Sequence, residues 1–330
     1  MTRLDELIAR ADLDGLLRHL EDLCADQDWD ELRHVRDRCH NATAVGRQLW
    51  PAASYAEYRI ALQADAAHGG AILREATGRF SIGPLSEVVA SVHDWRSLAP
   101  HLEPGPVRAL VAYERVVRGE DLSEDQSIDT SVYELPLVLQ RWEPRYPLAT
   151  YEPQRGIFAP PSALPPLRPV VLPLDEARLA GDPLTTDALI DLTRQWTTES
   201  NGRADAVTVA GDPLDAIAAL GVAEARTGSI PARQALEMMA WAAASGGAHG
   251  RRRGMAAGRF IAWWTMASLT GLADDWPVEP DELGEAIAAL VFVAWDTPES
   301  DMGWTFRLAA ADPDRGLAWA VMASDRKFDG

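Results

Sequence analysis

Residues 245–264 read SGGAHGRRRGMAAGRFIAWW: glycines and a histidine, a run of arginines, then paired tryptophans. These residue types at this spacing suit anion binding. Gly246, Gly247 and Gly250 leave backbone amides approachable, and a helix beginning near Arg251 would turn its positive end toward a negative group. Arginine's forked donors match phosphate or carboxylate, and His249 adds a titratable donor. The candidate ligand-binding residues are therefore Gly247, His249, Arg251, Arg252, Arg253 and Arg259. On that helix Arg252 and Arg259 share roughly one face, with Phe260, Ile261, Trp263 and Trp264 on another. The spacing is neither GxxxxGK[ST] nor a strand running into GxGxxG, so it specifies no nucleotide. The plainer alternative is a turn between helices that face each other through Met238, Trp241 and Phe260. The arginines would then pair with the chain's surplus carboxylates.

Other groupings carry less. Cys24, His34, Cys39 and His40 raise the question of zinc, which takes four ligands in paired spacings such as CxxC. Here the cysteines lie far apart in sequence, and adjacent helical residues such as Cys39 and His40 diverge by about 100°. A core thiol and a solvated imidazole are expected instead, and no metal is assigned. His93-Asp94 in a helical setting resembles the His-Asp pair of metal-dependent phosphohydrolases, with His40, His68 and His101 as the further histidines such a site would use. No fixed spacing ties them together, and Asp94 also fits as the cap of the turn WRSLAPHL. Nucleophilic catalysis lacks an anchor: there is no GxSxG elbow, and Lys327, the one lysine, leaves no SxxK arrangement. Cys39 has Arg36, Arg38 and His40 nearby, but Asp37 as well and no third group. Asp274-Asp275 and Glu299–Asp301 could hold a cation, yet Trp276-Pro277 and Pro298 mark them as loops. No cofactor is expected, and the reading leans away from an enzyme.

The chain that must position these residues has 330 of them, 47% apolar and 25% charged, ordinary for a folded protein with room for two domains. Its net charge of −19 repels phosphate backbones and anionic lipid, which argues against nucleic acid and membrane surfaces as partners. Two cysteines exclude a disulfide scaffold. The opening MTRLDELIARADLDGLLRHL carries acids where a secretion signal needs an apolar run, and the apolar segment Phe260–Ala273 is too short to span a bilayer. The expected compartment is the cytoplasm.

Residues 1–130 read as helical almost throughout. Leu4, Leu7 and Ile8, then Leu16, Leu17, Leu20 and Leu23, recur at helical spacing, with Asp12 or Asp14 as a cap. A polar helix from Trp29 to Val45 offers a core only Leu32, Val35 and Cys39. Pro51, Pro84 and Pro106 each open a helix, and His68-Gly69-Gly70 is expected to break the chain. No constant repeat period emerges. After the acidic loop GEDLSEDQSIDT comes a proline-rich extended arm, 131–184, whose apolar segments must pack on a domain. Residues 185–330 read as helix-rich with little β structure. A strand ADAVTVAG turns into helix PLDAIAALG, helices cover SIPARQALEMMAWAAA and EPDELGEAIAALVFVAW, and a hairpin turns around Asp312–Gly316.

The expected fold class is therefore mainly α: irregular packed helical hairpins with a small antiparallel β element in the C-terminal domain. The expected domains are an N-terminal helical domain (1–130), the arm (131–184) and a C-terminal α+β domain (185–330). Short stacked helices, a docking arm and twelve tryptophans, seven of them between Trp241 and Trp319, suggest a non-catalytic interaction or assembly protein. It would bind a protein partner or itself as a homo-oligomer. The alternative is an enzyme or sensor holding a small phosphorylated or carboxylated ligand at 246–259.

Overall fold

The computed structural model describes residues 2–75, 81–173, 177–298 and 303–326. The chain forms two units: Met1–Val132 with Ala149–Phe158, and Tyr133–Leu148 with Ala159–Gly330. The proline-rich segment is shared between them.

In the first unit, helices follow one another as α1 (Arg3–Arg10), α2 (Leu13–Asp26), α3 (Trp29–Ala44), α4 (Trp50–Gln63), α5 (Ala66–Glu75), α6 (Leu85–Val92), α7 (Trp95–Leu98) and α8 (Pro106–Val116). Several starts are written in side chains. Thr2, Asp12, Asp28 and Asp94 each accept the backbone N–H three residues on, and Pro51 and Pro106 occupy first turns. Leu32, Val35 and Cys39 of α3 are fully buried. Gly69 and Gly70, expected to break the chain, lie inside α5 instead. A Cβ at Gly70 would overlap the His101 carbonyl, so the glycine serves close packing rather than a turn. The hairpin β1 (Ala149–Glu152) and β2 (Arg155–Phe158) joins this unit through Tyr58, whose hydroxyl donates to the Glu152 carbonyl at 2.5 Å, and Tyr151, which donates to Glu87 at 2.6 Å.

The second unit overturns the expectation of a mainly α fold with a small β element. Strands β3 (Arg168–Val170), β4 (Arg178–Leu179), β5 (Arg203–Ala210), β6 (Ala225–Ile230), β7 (Val291–Asp296), β8 (Trp304–Asp312) and β9 (Leu317–Asp325) form one antiparallel sheet. Their order is β3-β6-β7-β8-β9-β5-β4. The helices are α9 (Pro183–Asp191), α10 (Arg194–Thr198), α11 (Pro213–Ala219), α12 (Ala232–Ala244), α13 (Met255–Thr270) and α14 (Pro280–Ala288). On one face α11 packs over Val209, Ala309, Ala311, Ala318 and Ala320. On the other, Thr186 of α9 meets Thr208 at 3.1 Å, and Trp319 donates to Asp182 at 3.1 Å. A sheet centre covered on both sides needs no polar alternation, so its strands read as unbroken alanine- and valine-rich runs. VFVAW, expected to continue a helix, is β7: α14 stops at Ala288. ARTGSI, which carried no strand expectation, is β6.

Strands β8 and β9 are the expected hairpin, and β5 turns through a capping box at Asp212 into α11. Helices α12 and α13 approach closely, since a Cβ at Gly258 would overlap the Ala240 carbonyl. Among the described residues no helix is long and apolar enough to cross a membrane.

Candidate functional site

Between α12 and α13 the chain must reverse within residues 245–254, and it does so around its own carboxylates. Ser245 ends α12 and accepts from Trp196 Nε1 at 2.8 Å. Trp196 is fully buried edge-on to Trp241 and Trp304, which stack at 5.2 Å, so three indoles lie beneath the turn. Gly247, at φ +67°, lets the Ala248 N–H reach Asp325 Oδ2 at 2.6 Å. Asp325, 1% exposed at the end of β9, accepts the Ser200 hydroxyl on Oδ1 at 3.0 Å. Ser200 in turn accepts the His249 N–H at 3.2 Å, and the Arg251 N–H donates to Glu199 at 3.1 Å. Backbone N–H groups of the turn are thus taken up by the chain's own carboxylates, Asp325 and Glu199.

The helix expected to begin near Arg251 begins at Met255, because Gly254 at φ +95° sets the boundary after the arginines. Arg252 and Arg259 therefore do not share a helical face. His249, Arg251 and Arg253 are exposed and Arg252 is half-buried. Arg251 Nε lies 3.6 Å from Glu199, and the Arg253 N–H returns to the Ala244 carbonyl at 2.8 Å. Arg259 is fully buried elsewhere. Its Nε and a terminal nitrogen each meet Glu143 at 2.8 Å, and it also donates to the carbonyls of Pro136 and Val138. Trp263 and Tyr146 donate to the same carboxylate at 3.0 and 2.5 Å. Burial alone would raise the Glu143 pKa, but the Arg259 charge and these bonds outweigh it and hold the carboxyl below its ordinary value. This network fastens residues 136–146 to α13.

Ser200, His249 and Asp325 have the composition of a hydrolytic triad, but the bonds seen among the three are not those of one. His249 reaches Ser200 through its backbone N–H, and the Ser200 proton goes to Asp325, so these bonds place no imidazole nitrogen on the hydroxyl.

Next to this hub, register builds a second arrangement. Arg203 of β5 lies opposite Ser324 of β9, so both project to the sheet face that carries α11, as does Arg326 two residues on. Asn201, Arg203, Ser324 and Arg326 line a cleft of about 290 Å³. Arg203 is exposed, and its side chain has no hydrogen-bond or ion-pair partner among the described residues. Two guanidiniums, an amide and a hydroxyl form a donor set for a carboxylate or phosphate. Sequence reading missed all four. Arg203 and Ser324 stand far apart in the sequence, and only strand register brings them together. A cleft of about 400 Å³ in the first unit, beside Arg74 and His101, is less suited to an anion. There Arg74 already donates to the His101 carbonyl at 2.9 Å and faces Glu103 at 3.7 Å.

Several of the other sequence candidates have structural roles. Cys24 and Cys39 are buried free thiols, and burial pushes Cys39 up to about 11, away from nucleophilic reactivity. His40 Nε2 sits 2.8 Å from Glu57 and His93 Nε2 3.0 Å from the Ala64 carbonyl, while Asp94 caps α7. Among the described residues no group of three or more His, Cys, Asp or Glu is gathered as for a metal. Lys327 and Glu299–Asp301 lie outside the described residues.

The chain belongs to a family of unknown function, DUF6183, whose model matches residues 14–327. No curated protein and no solved structure matches it.

Proposed function

We propose that this protein is a non-catalytic binding protein whose second unit captures a small phosphorylated or carboxylated ligand in the cleft of Asn201, Arg203, Ser324 and Arg326. The observation that carries this is the pairing of two guanidiniums with neutral donors in one hollow of a chain whose net charge is −19. Charged hydrogen bonds contribute about 1.5–3 kcal/mol each, which after immobilisation corresponds to affinity in the range of about 10 μM to 1 mM. The Gly/Arg loop supports the site from behind by fixing Asp325, which lies between Ser324 and Arg326.

The test is thermal stability of the full chain with inorganic phosphate, citrate, AMP or glucose 6-phosphate at millimolar concentration. One or more should raise the melting temperature of the wild type, and the Arg203→Ala/Arg326→Ala double variant should lose that rise. Arg251→Ala/Arg253→Ala should keep it. A folded wild type indifferent to all four would end this reading.

A second reading, assembly with a protein partner or with itself, is favoured by apolar side chains left in solvent along the sheet: Val171 is 90% exposed and Leu179 71%. Light scattering tests it, a defined oligomer supporting it and a strict monomer leaving only a foreign partner. The cytoplasm is the compartment we propose, since Cys24 and Cys39 remain unpaired thiols that a reducing environment preserves.

A further inference from the structure

Strand β5 is fully paired on one side only. All of its residues, Arg203–Ala210, pair with β9, whereas β4 pairs with Val209 and Ala210 alone. One further bond, from the Ala180 N–H to the Thr208 carbonyl at 2.9 Å, ends the β4 contact. In an antiparallel ladder the N–H and C=O of one residue point to the same side and alternate along the strand. Thr208 directs its carbonyl away from β9, so Ala206 and Ala204 do the same with both their groups. The Gly211 N–H, bonded to Gly316 at 3.2 Å, confirms that the odd-numbered residues face β9. Among the described residues the outward groups of Ala204 and Ala206 meet no partner. The flanking Arg203 and Asp205 are exposed.

This open edge ends at Arg203, which also lines the anion cleft. We infer that the natural ligand is an extended peptide that adds to β5 as a further strand and places a carboxylate, from its C-terminus or an acidic side chain, between Arg203 and Arg326. The inference rests on the anion-binding reading above and names the ligand class of that same site. Backbone groups of Ala204 and Ala206 supply up to four hydrogen bonds without regard to sequence, and the guanidiniums select an acid. A second copy of this chain fits less well: the antiparallel register that uses all four outward groups sets Asp205 opposite Asp205 of the copy, a like-charge pair.

The experiment presents full-length protein to an array of randomised heptapeptides, half with free and half with amidated C-termini, and measures retained peptides by fluorescence polarisation. Retention of acidic or free-terminus peptides is expected. Preference for free termini over amides assigns the carboxylate to the peptide end, and indifference with a required Asp or Glu assigns it to a side chain. Ala206→Pro removes the outward donor and no bond to β9, so it should weaken peptide binding about tenfold or more while the phosphate or citrate response persists. N-methylation of alternate peptide amides should have the same effect without altering the protein. Arg203→Ala should lose both responses. The inference is overturned if no peptide is retained while citrate still binds, or if neither Ala206→Pro nor N-methylation weakens retention. A dimer that disappears in Ala206→Pro would give the edge to a second copy and overturn it equally.

Discussion

Gly247 shows what a single position can require. At φ +67° an alanine is strained, and its Cβ would also overlap Oδ2 of Asp325. Gly316 has a similar φ of +61° with nothing near the Cβ position. Gly316→Ala should therefore cost only the conformational term, about 1 kcal/mol, and Gly247→Ala at least about 1 kcal/mol more, read from urea midpoints. Equal costs would show that Asp325 does not depend on the close approach. Glu143 depends on charge instead. Glu143→Gln leaves Arg259 buried without its counterion and should destabilise by about 3–5 kcal/mol. The folded-state pKa of Glu143 lies below its ordinary value, so its contribution is complete above the ordinary glutamate range and is lost as pH falls through the folded value. The gap between wild type and Glu143→Gln should accordingly narrow on acidification. A gap constant down to about pH 3 would remove Glu143 from the acid transition.

At the scale of elements, what was legible were features whose cause is local. Asp12 and Asp94 as caps, proline in the first turns of α4 and α8, and the turn at Asp312–Gly316 each follow from a side chain acting within a few residues. Asp312 Oδ1 accepts the N–H groups of Asp314 and Arg315 at 3.0 and 3.1 Å. Asp312→Ala should thus cost about 1–2 kcal/mol in unfolding experiments, and Asp312→Asn, which keeps an acceptor, markedly less. If the two variants are equally unstable, the turn is held by something other than that oxygen. What was illegible depends on distant partners. Phe292 and Trp295 could serve either a buried helix or a buried strand, and the choice fell to β6 and β8 on either side of β7. The candidate site divided the same way. At the Gly/Arg loop the sequence offered either a ligand site or a turn, and nothing in it pointed to Asp325 or Glu199 as acceptors of the loop's backbone N–H groups. Arg203 and Ser324 gave no signal at all until register set them opposite each other.

Across the whole molecule the decisive quantity is the surplus of acid. A net charge of −19 makes the folded state repel itself, and many surface carboxylates are held ionised by local partners. The Arg38 side chain lowers Asp5, and hydrogen bonds from Ser97, Ser123 and Ser131 lower Asp94, Asp121 and Asp129. The two effects oppose each other on acidification. From about pH 8 toward the isoelectric region near 4.7, protonation relieves repulsion. Below the ordinary carboxylate range, groups with depressed folded pKa values must take up protons that the unfolded chain binds more readily, and stability falls. The melting temperature should therefore be highest near pH 5 and drop steeply below about pH 4. Salt separates the two contributions. Raising ionic strength from about 0.01 to 0.1 M shortens the screening length from about 30 to 10 Å, which weakens long-range repulsion and leaves contacts of a few ångströms largely intact. Exposed ion pairs contribute only about 0–1 kcal/mol each, so at about pH 8 the repulsive surplus dominates and added sodium chloride should raise the melting temperature. Near the isoelectric point, with no surplus left to screen, the same addition should change little. A melting temperature that falls with salt at pH 8 would mean that paired charges, rather than the excess of carboxylates, govern the stability of this chain.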